Sequence, residues 1–188
     1  HLFDDAADQD RLLDIADACV EAGVPDRYLK FASTSKVTLP GAGVAALAAS
    51  PEICDEIRAQ MGAQVIGYDK INQLRHARFL RDAEGIAAHM RGHAAILRPK
   101  FALVQAKLHA ALDEAAVATW SDPRGGYFVS FDGMPGTAAR TVALAREAGV
   151  TMTGAGATWP YGRDPEDANI RIAPTLPPLE ELDEALDV

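Results

Sequence analysis

The hydrophobic period of this chain changes once, and that change limits what it can fold into. Across residues 71–116 apolar side chains recur at helical spacing, with Ile86, Met90, Leu97, Phe101, Val104, Leu108 and Leu112 on one face. Pro99 falls inside that stretch and is expected to kink or split it. After Ala116 the period shortens. Residues 117–120 and 127–131 read as strands around the turn Asp122-Pro123-Arg124-Gly125-Gly126. A helix over 137–148 stopped by Gly149, strands over 150–153 and 170–173, and an acidic helix led by Pro178 complete this half.

Upstream, Leu12, Ile15, Ala16, Cys19 and Val20 give residues 10–23 an amphipathic helical stripe closed by Gly23. Residues 28–32 read as a short strand and 43–49 as a buried one. Ser50-Pro51-Glu52 then opens a helix with a capping hydroxyl, a proline in the first turn and an early acid. Strands alternating with helices specify an α/β or α+β layered fold. Its natural boundary lies within the helical stretch at residues 85–100.

Composition narrows the function classes. The 188 residues are 48% hydrophobic and carry a net charge of −9, which suits a packed core and argues against a nucleic-acid surface. The longest apolar run, residues 44–49, is too short to cross a bilayer. Cys19 and Cys54 are too few to staple the fold, so a reducing cytoplasm is the expected compartment. The first residue is His1 rather than Met, so the chain is expected to be a piece of something longer.

Three local features carry chemistry. Ser33-Thr34-Ser35-Lys36 follows a short strand and precedes Pro40-Gly41-Ala42-Gly43. A partly desolvated lysine at a strand end can act as a nucleophile toward a carbonyl, and neighbouring hydroxyls and amides can hold a phosphate. Alone, the tetrapeptide reads more simply as a surface turn with a solvated lysine. In Asn169-Ile170-Arg171-Ile172-Ala173-Pro174, an arginine inside an apolar strand demands an anionic partner. That partner is either a ligand carboxylate captured by the guanidinium fork or one of the chain's own acids. Gly125-Gly126-Tyr127-Phe128 opens a strand with paired glycines and by itself needs no function.

Taken together and in this order, the three resemble the C-terminal half of fold-type-I pyridoxal-phosphate (PLP) enzymes, the aspartate aminotransferase superfamily. FASTSKVTLPGAGVAALAAS, INQLRHARFLRD and GATWPYGRDPEDANIRIAP are most similar to a divergent bacterial branch, subgroup Ic, near the MocR-like aminotransferase domains. The resemblance spans essentially the whole chain. It implies an α/β fold, with residues 1–85 the C-terminal part of the large PLP-binding domain. Residues 86–188 would be a long connecting helix and an α+β small domain. It implies Lys36 as the Schiff-base lysine and proton carrier, Ser33 and more weakly Ser35 as phosphate ligands, and Arg171 as the ligand of the substrate α-carboxylate. It further implies PLP as cofactor, an amino acid (aspartate or another small one) and a 2-oxo acid as substrates, and a cytoplasmic homodimer. Lys70 or Arg75, where the family's loop reaches the partner subunit, would read a substrate side-chain carboxylate.

One departure stands out. Many relatives carry a phosphate-gripping arginine seven or eight residues after the lysine, where this chain has Gly43 and Val44. The family's pyridine-facing aspartate lies far before its lysine, and Asp4 and Asp5 are too close to Lys36 to fill that place. The isolated chain is therefore expected to show little transamination, with the aspartate encoded upstream. Other PLP chemistry on the same scaffold (β-elimination or decarboxylation) and a non-catalytic sensor domain of a transcriptional regulator are the competing readings. His89 and His93, four apart, have metal-ligand spacing but no third ligand, so no metal site is expected. Arg75, His76, Arg78, Arg81 and Arg91 form a basic run suited to an interface or ion pairs.

Overall fold

The computed structural model describes residues 12–188; Asp4, Asp5 and the beginning of the expected first helix lie outside them. Two compact units divide between Met90 and Arg91.

In the N-terminal unit, α1 (Ile15–Glu21) is capped by the Asp14 carboxylate, which accepts from the Ala16 amide. Strands β1 (Lys30–Ser33) and β2 (Ala45–Ala48) pair antiparallel, Ser33 opposite Ala45. The residues of β2 are mostly exposed, against the expectation of a buried strand. An apolar run does not by itself say what covers it. Helix α2 (Pro51–Gln64) begins as its sequence signals, with Ser50 Oγ accepting from the Ile53 amide at 3.4 Å.

The expected continuous helix breaks near residue 81 rather than at Pro99. Helix α3 (Lys70–Leu80) is capped by Asp69 and buries Asn72, His76 and Leu80, one residue per turn. Arg81 then adopts φ 62° and ψ −66°, and the Asp82 amide donates to the Leu80 carbonyl at 2.8 Å, closing a γ-turn. Asp82 caps α4 (Ala83–Leu112) through its carboxylate and the Gly85 amide, 2.8 Å apart. The corner is tight: a Cβ on Gly85 would lie 1.9 Å from the Leu80 carbonyl oxygen. Gly85→Ala is therefore expected to destabilise the protein by about 1–3 kcal/mol through overpacking, seen as a fall in Tm of several degrees.

Helix α4 passes from Met90 to Arg91 into the C-terminal unit and there runs unbroken through Pro99. The proline removes the amide that would meet the Ala95 carbonyl, a loss of about 3 kcal/mol in a free helix. Burial offsets it here: Leu97, Phe101 and Val104 pack with Val129 and Leu182 in the core, and the Lys100 ammonium donates to the carbonyls of Thr175 and Pro177. The three-stranded antiparallel sheet runs β3 (Thr119–Trp120), β4 (Val129–Asp132), β5 (Asn169–Ile172), with β4 central. Helices α5 (Ala138–Glu147) and α6 (Leu179–Leu186) complete the unit. Residues 150–153, expected as a strand, are not one. The Val150 amide is taken by the Ala145 carbonyl in closing α5, and no strand of the sheet pairs with residues 151–153.

Candidate active site

Strand alternation sorts the sheet into two faces. Val129 stands opposite Ile172, and Phe131 stacks at 6.3 Å on Trp120; these belong to the helix-covered core side. The intervening positions, Ser130 opposite Arg171 and Asp132 opposite Asn169, share the other face. There the buried Asn169 amide donates to Ser130 Oγ at 2.9 Å and to Asp132 Oδ1 at 2.8 Å, while its oxygen accepts from the Thr158 hydroxyl at 2.6 Å. Asp164 accepts from the Ala168 and Asn169 amides at 2.8 Å each, tying the preceding loop to the start of β5.

The Asn169, Ala168 and neighbouring amides hold the Asp164 carboxyl below its usual pKa, against a smaller opposing effect of desolvation. A depressed carboxylate adds stability above its unfolded pKa and loses it as pH falls through the folded value. The Tm difference between the native protein and Asp164→Ala should accordingly be full at pH 7 and shrink below about pH 4, measured by thermal unfolding across that range.

Arg171 lies among these groups. Its guanidinium carbon sits 4.4 Å from the centre of the Phe128 ring, a cation–π contact, and Nη2 donates to Thr153 Oγ1 at 3.4 Å. Its Nε is buried with no hydrogen-bond partner, and among the described residues no carboxylate pairs with it. Of the two readings open at the sequence level, the internal ion pair is thus absent from the described residues. At the sequence level Phe128 entered only as the end of the strand opening Gly125-Gly126-Tyr127-Phe128, with no contact to Arg171 assigned to it. Thr153 was not singled out, because it sits in a segment expected to be a strand.

In the N-terminal unit, Lys36 is exposed in the turn after β1. Among the described residues that strand pairs antiparallel with β2. Ser33 and Ser35 are together: their hydroxyls lie 2.7 Å apart, and the Ser35 amide donates to Ser33 Oγ at 3.1 Å. The two hydroxyls carry two hydrogens and share one contact, which leaves one for an outside acceptor.

The arginine position is closed here. A Cβ on Gly43 would meet Thr34 Oγ1 at 3.0 Å and the Ser35 amide at 3.4 Å. Val44 exchanges hydrogen bonds with Thr34, backbone to backbone at 2.9 Å and amide to hydroxyl at 2.8 Å, and lines an apolar cavity of about 580 Å³ with Phe31 and Leu47. The small residue keeps the serine pair and its amide uncovered, a setting that suits a phosphate group.

Other expected residues are dispersed. Lys70 is the first residue of α3, and Arg75 is exposed beside Ile71, Leu74, Arg78 and Phe79 around a cavity of about 450 Å³. His76 is no part of an exposed basic run; it is 8% exposed, and Nδ1 lies 2.9 Å from the Asn72 carbonyl. His89 Nε2 donates to the Val37 carbonyl at 2.6 Å. Among the described residues no three His, Cys, Asp or Glu side chains converge as metal ligands, and no helix is long and apolar enough to cross a membrane.

Known proteins carry the same pattern. The family model described as aspartate amino-transferase matches residues 1–188. An aspartate aminotransferase of Corynebacterium glutamicum is 49% identical over 176 residues, which is 94% of this chain and 41% of that protein. A solved aspartate transaminase from the same species superposes with a TM-score of 0.88 at 50% identity, over 93% of this chain and 41% of its own. At 23% identity the fold alone is shared with an α-aminoadipate aminotransferase of Thermus thermophilus, TM-score 0.75, covering 98% of this chain and 45% of that one. The chain therefore spans about two-fifths of the length of the relatives it matches. With the match running the whole length of the sequence, the chain belongs to the aspartate aminotransferase family, and its mixed helices and strands are those of that family's α/β fold.

Proposed function

We propose that these residues form the C-terminal part of a PLP-dependent aminotransferase. The reaction moves an amino group between an amino acid, aspartate or another small one, and a 2-oxo acid. In this reading residues 1–85 complete the large domain and 86–188 supply the connecting helix and small domain of a cytoplasmic homodimer. PLP, when bound, withdraws electrons from the bonds at the substrate's α-carbon.

The residues divide the remaining work. Lys36 supplies the amine that joins the cofactor's aldehyde covalently and, once released, takes the proton from the substrate Cα. The Ser33–Ser35 hydroxyl pair would donate its one free hydrogen to the phosphate. Arg171 would grip the α-carboxylate, its planar fork oriented by Phe128 and Thr153, which fixes the direction of the Cα–H bond.

One observation carries the reading. A buried guanidinium nitrogen without a partner is costly unless an anion completes it, and Arg171 Nε is such an atom. The test is covalent. Protein mixed with PLP should gain a visible band, and borohydride should fix one pyridoxyl group on the peptide containing Lys36. Attachment to a different lysine would overturn the assignment.

A further inference from the structure

The turn that carries Lys36 is gripped from two helices. Thr34, two residues before the lysine, opens a single helical turn: its carbonyl accepts from the Val37 amide at 2.9 Å and the Thr38 amide at 2.8 Å. From α3, His76 Nε2 reaches Thr38 Oγ1 at 2.7 Å and Thr34 Oγ1 at 3.3 Å, on either side of the lysine. A carbonyl can only accept, so His76 carries its Nδ1 proton toward Asn72 O, and Nε2 receives the Thr38 hydroxyl. One helical turn earlier, the Asn72 amide donates to the Gly43 carbonyl at 3.0 Å and holds the far end of the loop. From the start of α4, His89 Nε2 donates to the carbonyl of Val37, the residue next to the lysine. Its ring is braced edge-on against Phe79 of α3, centroids 5.1 Å apart.

We infer that His76 and His89 are positioning residues for Lys36, two imidazoles that fix the lysine-bearing turn from both sides so that its amine meets the cofactor aldehyde in one orientation. A lysine side chain has about 2 kcal/mol of rotamer entropy. Holding the turn through the Thr34 and Thr38 hydroxyls and the Val37 carbonyl removes its further freedom, while neither imidazole need touch the reacting atoms. The inference rests on Lys36 being the covalent residue, as proposed above.

The experiment follows the rate of capture. Cofactor-free protein is mixed with PLP, quenched with borohydride at intervals, and the pyridoxyl group on the Lys36 peptide is quantified by mass. Pyridoxamine 5′-phosphate, which has no aldehyde, reports the affinity of the phosphate and ring site alone. Thr38→Val, which keeps the side chain's shape, and His89→Phe should each slow capture about tenfold, and His76→Ala more. Affinity for pyridoxamine 5′-phosphate should stay within about twofold of the native protein. His76→Gln, which keeps an acceptor near Thr38, should recover part of the loss. Unchanged capture rates overturn the clamp, as does a parallel loss of pyridoxamine phosphate binding, the mark of a merely structural role. Should the native protein itself be labelled at another lysine, the Lys36 assignment falls first and the inference with it. That outcome is visible before any variant is made.

Discussion

Lys36→Ala should abolish covalent capture of PLP and lower kcat by about 10³–10⁶-fold, roughly 4–8 kcal/mol of transition-state stabilisation, in the protein that carries this chain. The expected effect is large because in the proposed role one amine serves as nucleophile and then as base, and alanine supplies neither. The residue is exposed in its turn, so the fold should hardly register the change, with unfolding free energy within about 0.5 kcal/mol of native. Lys36→Arg separates charge from chemistry: it keeps a cation in place yet cannot join an aldehyde, and it should be as inactive as alanine. Absorbance and single-turnover kinetics give the first readout, thermal unfolding the second. A variant that still captures PLP on the same peptide, or one that simply unfolds, would contradict the assignment.

Arg171→Ala should lower kcat/KM for the amino acid by about 10²–10³-fold while cofactor capture continues. Truncation would remove both halves of the proposed bidentate contact and open a gap beside Phe128. Arg171→Lys is the sharper probe. It retains the charge but neither the planar fork nor the stacking on Phe128, so it should recover only a minor part of the loss. Steady-state kinetics with the amino acid varied, beside PLP titration, distinguish the two sites. Equal losses in substrate and cofactor binding would show that Arg171 holds up the sheet instead.

The legible parts of this chain were those decided by neighbours in sequence. Ser50 with Pro51 announced α2 because a cap is a three-residue interaction, and Gly149 announced the end of α5 because its φ of 96° suits glycine. Lys36, Ser33, Ser35 and Arg171 were proposed from motifs whose spacing is local. Missed features depend on contacts distant in the chain. Pro99 sits in an unbroken helix because residues near 129 and 182 bury its neighbours. His76 read as part of a basic run among several arginines, yet its ring nitrogen meets the hydroxyls of residues 34 and 38. The spacing of Asn72 and His76 was the available signal: two polar residues four apart share a helix face with Leu80, and once that face is buried they need polar partners. The exposure of β2 had no signal at all, since a run of alanines is silent about what lies over it.

The γ-turn at Arg81 has a consequence for how this sequence tolerates length changes. His76 precedes it by five residues and His89 comes eight after it, so the corner sets the angular phase between the two rings. Each residue added to a helix rotates the rest of that helix by about 100°. A single insertion after Asp82, harmless in most surface corners, should swing His89 away from the Val37 carbonyl and leave the lysine turn held from one side. Hydrogen exchange at the amides of residues 34–44 would record it as faster opening. Substitutions at this corner are matters of stability, whereas insertions and deletions there are matters of chemistry.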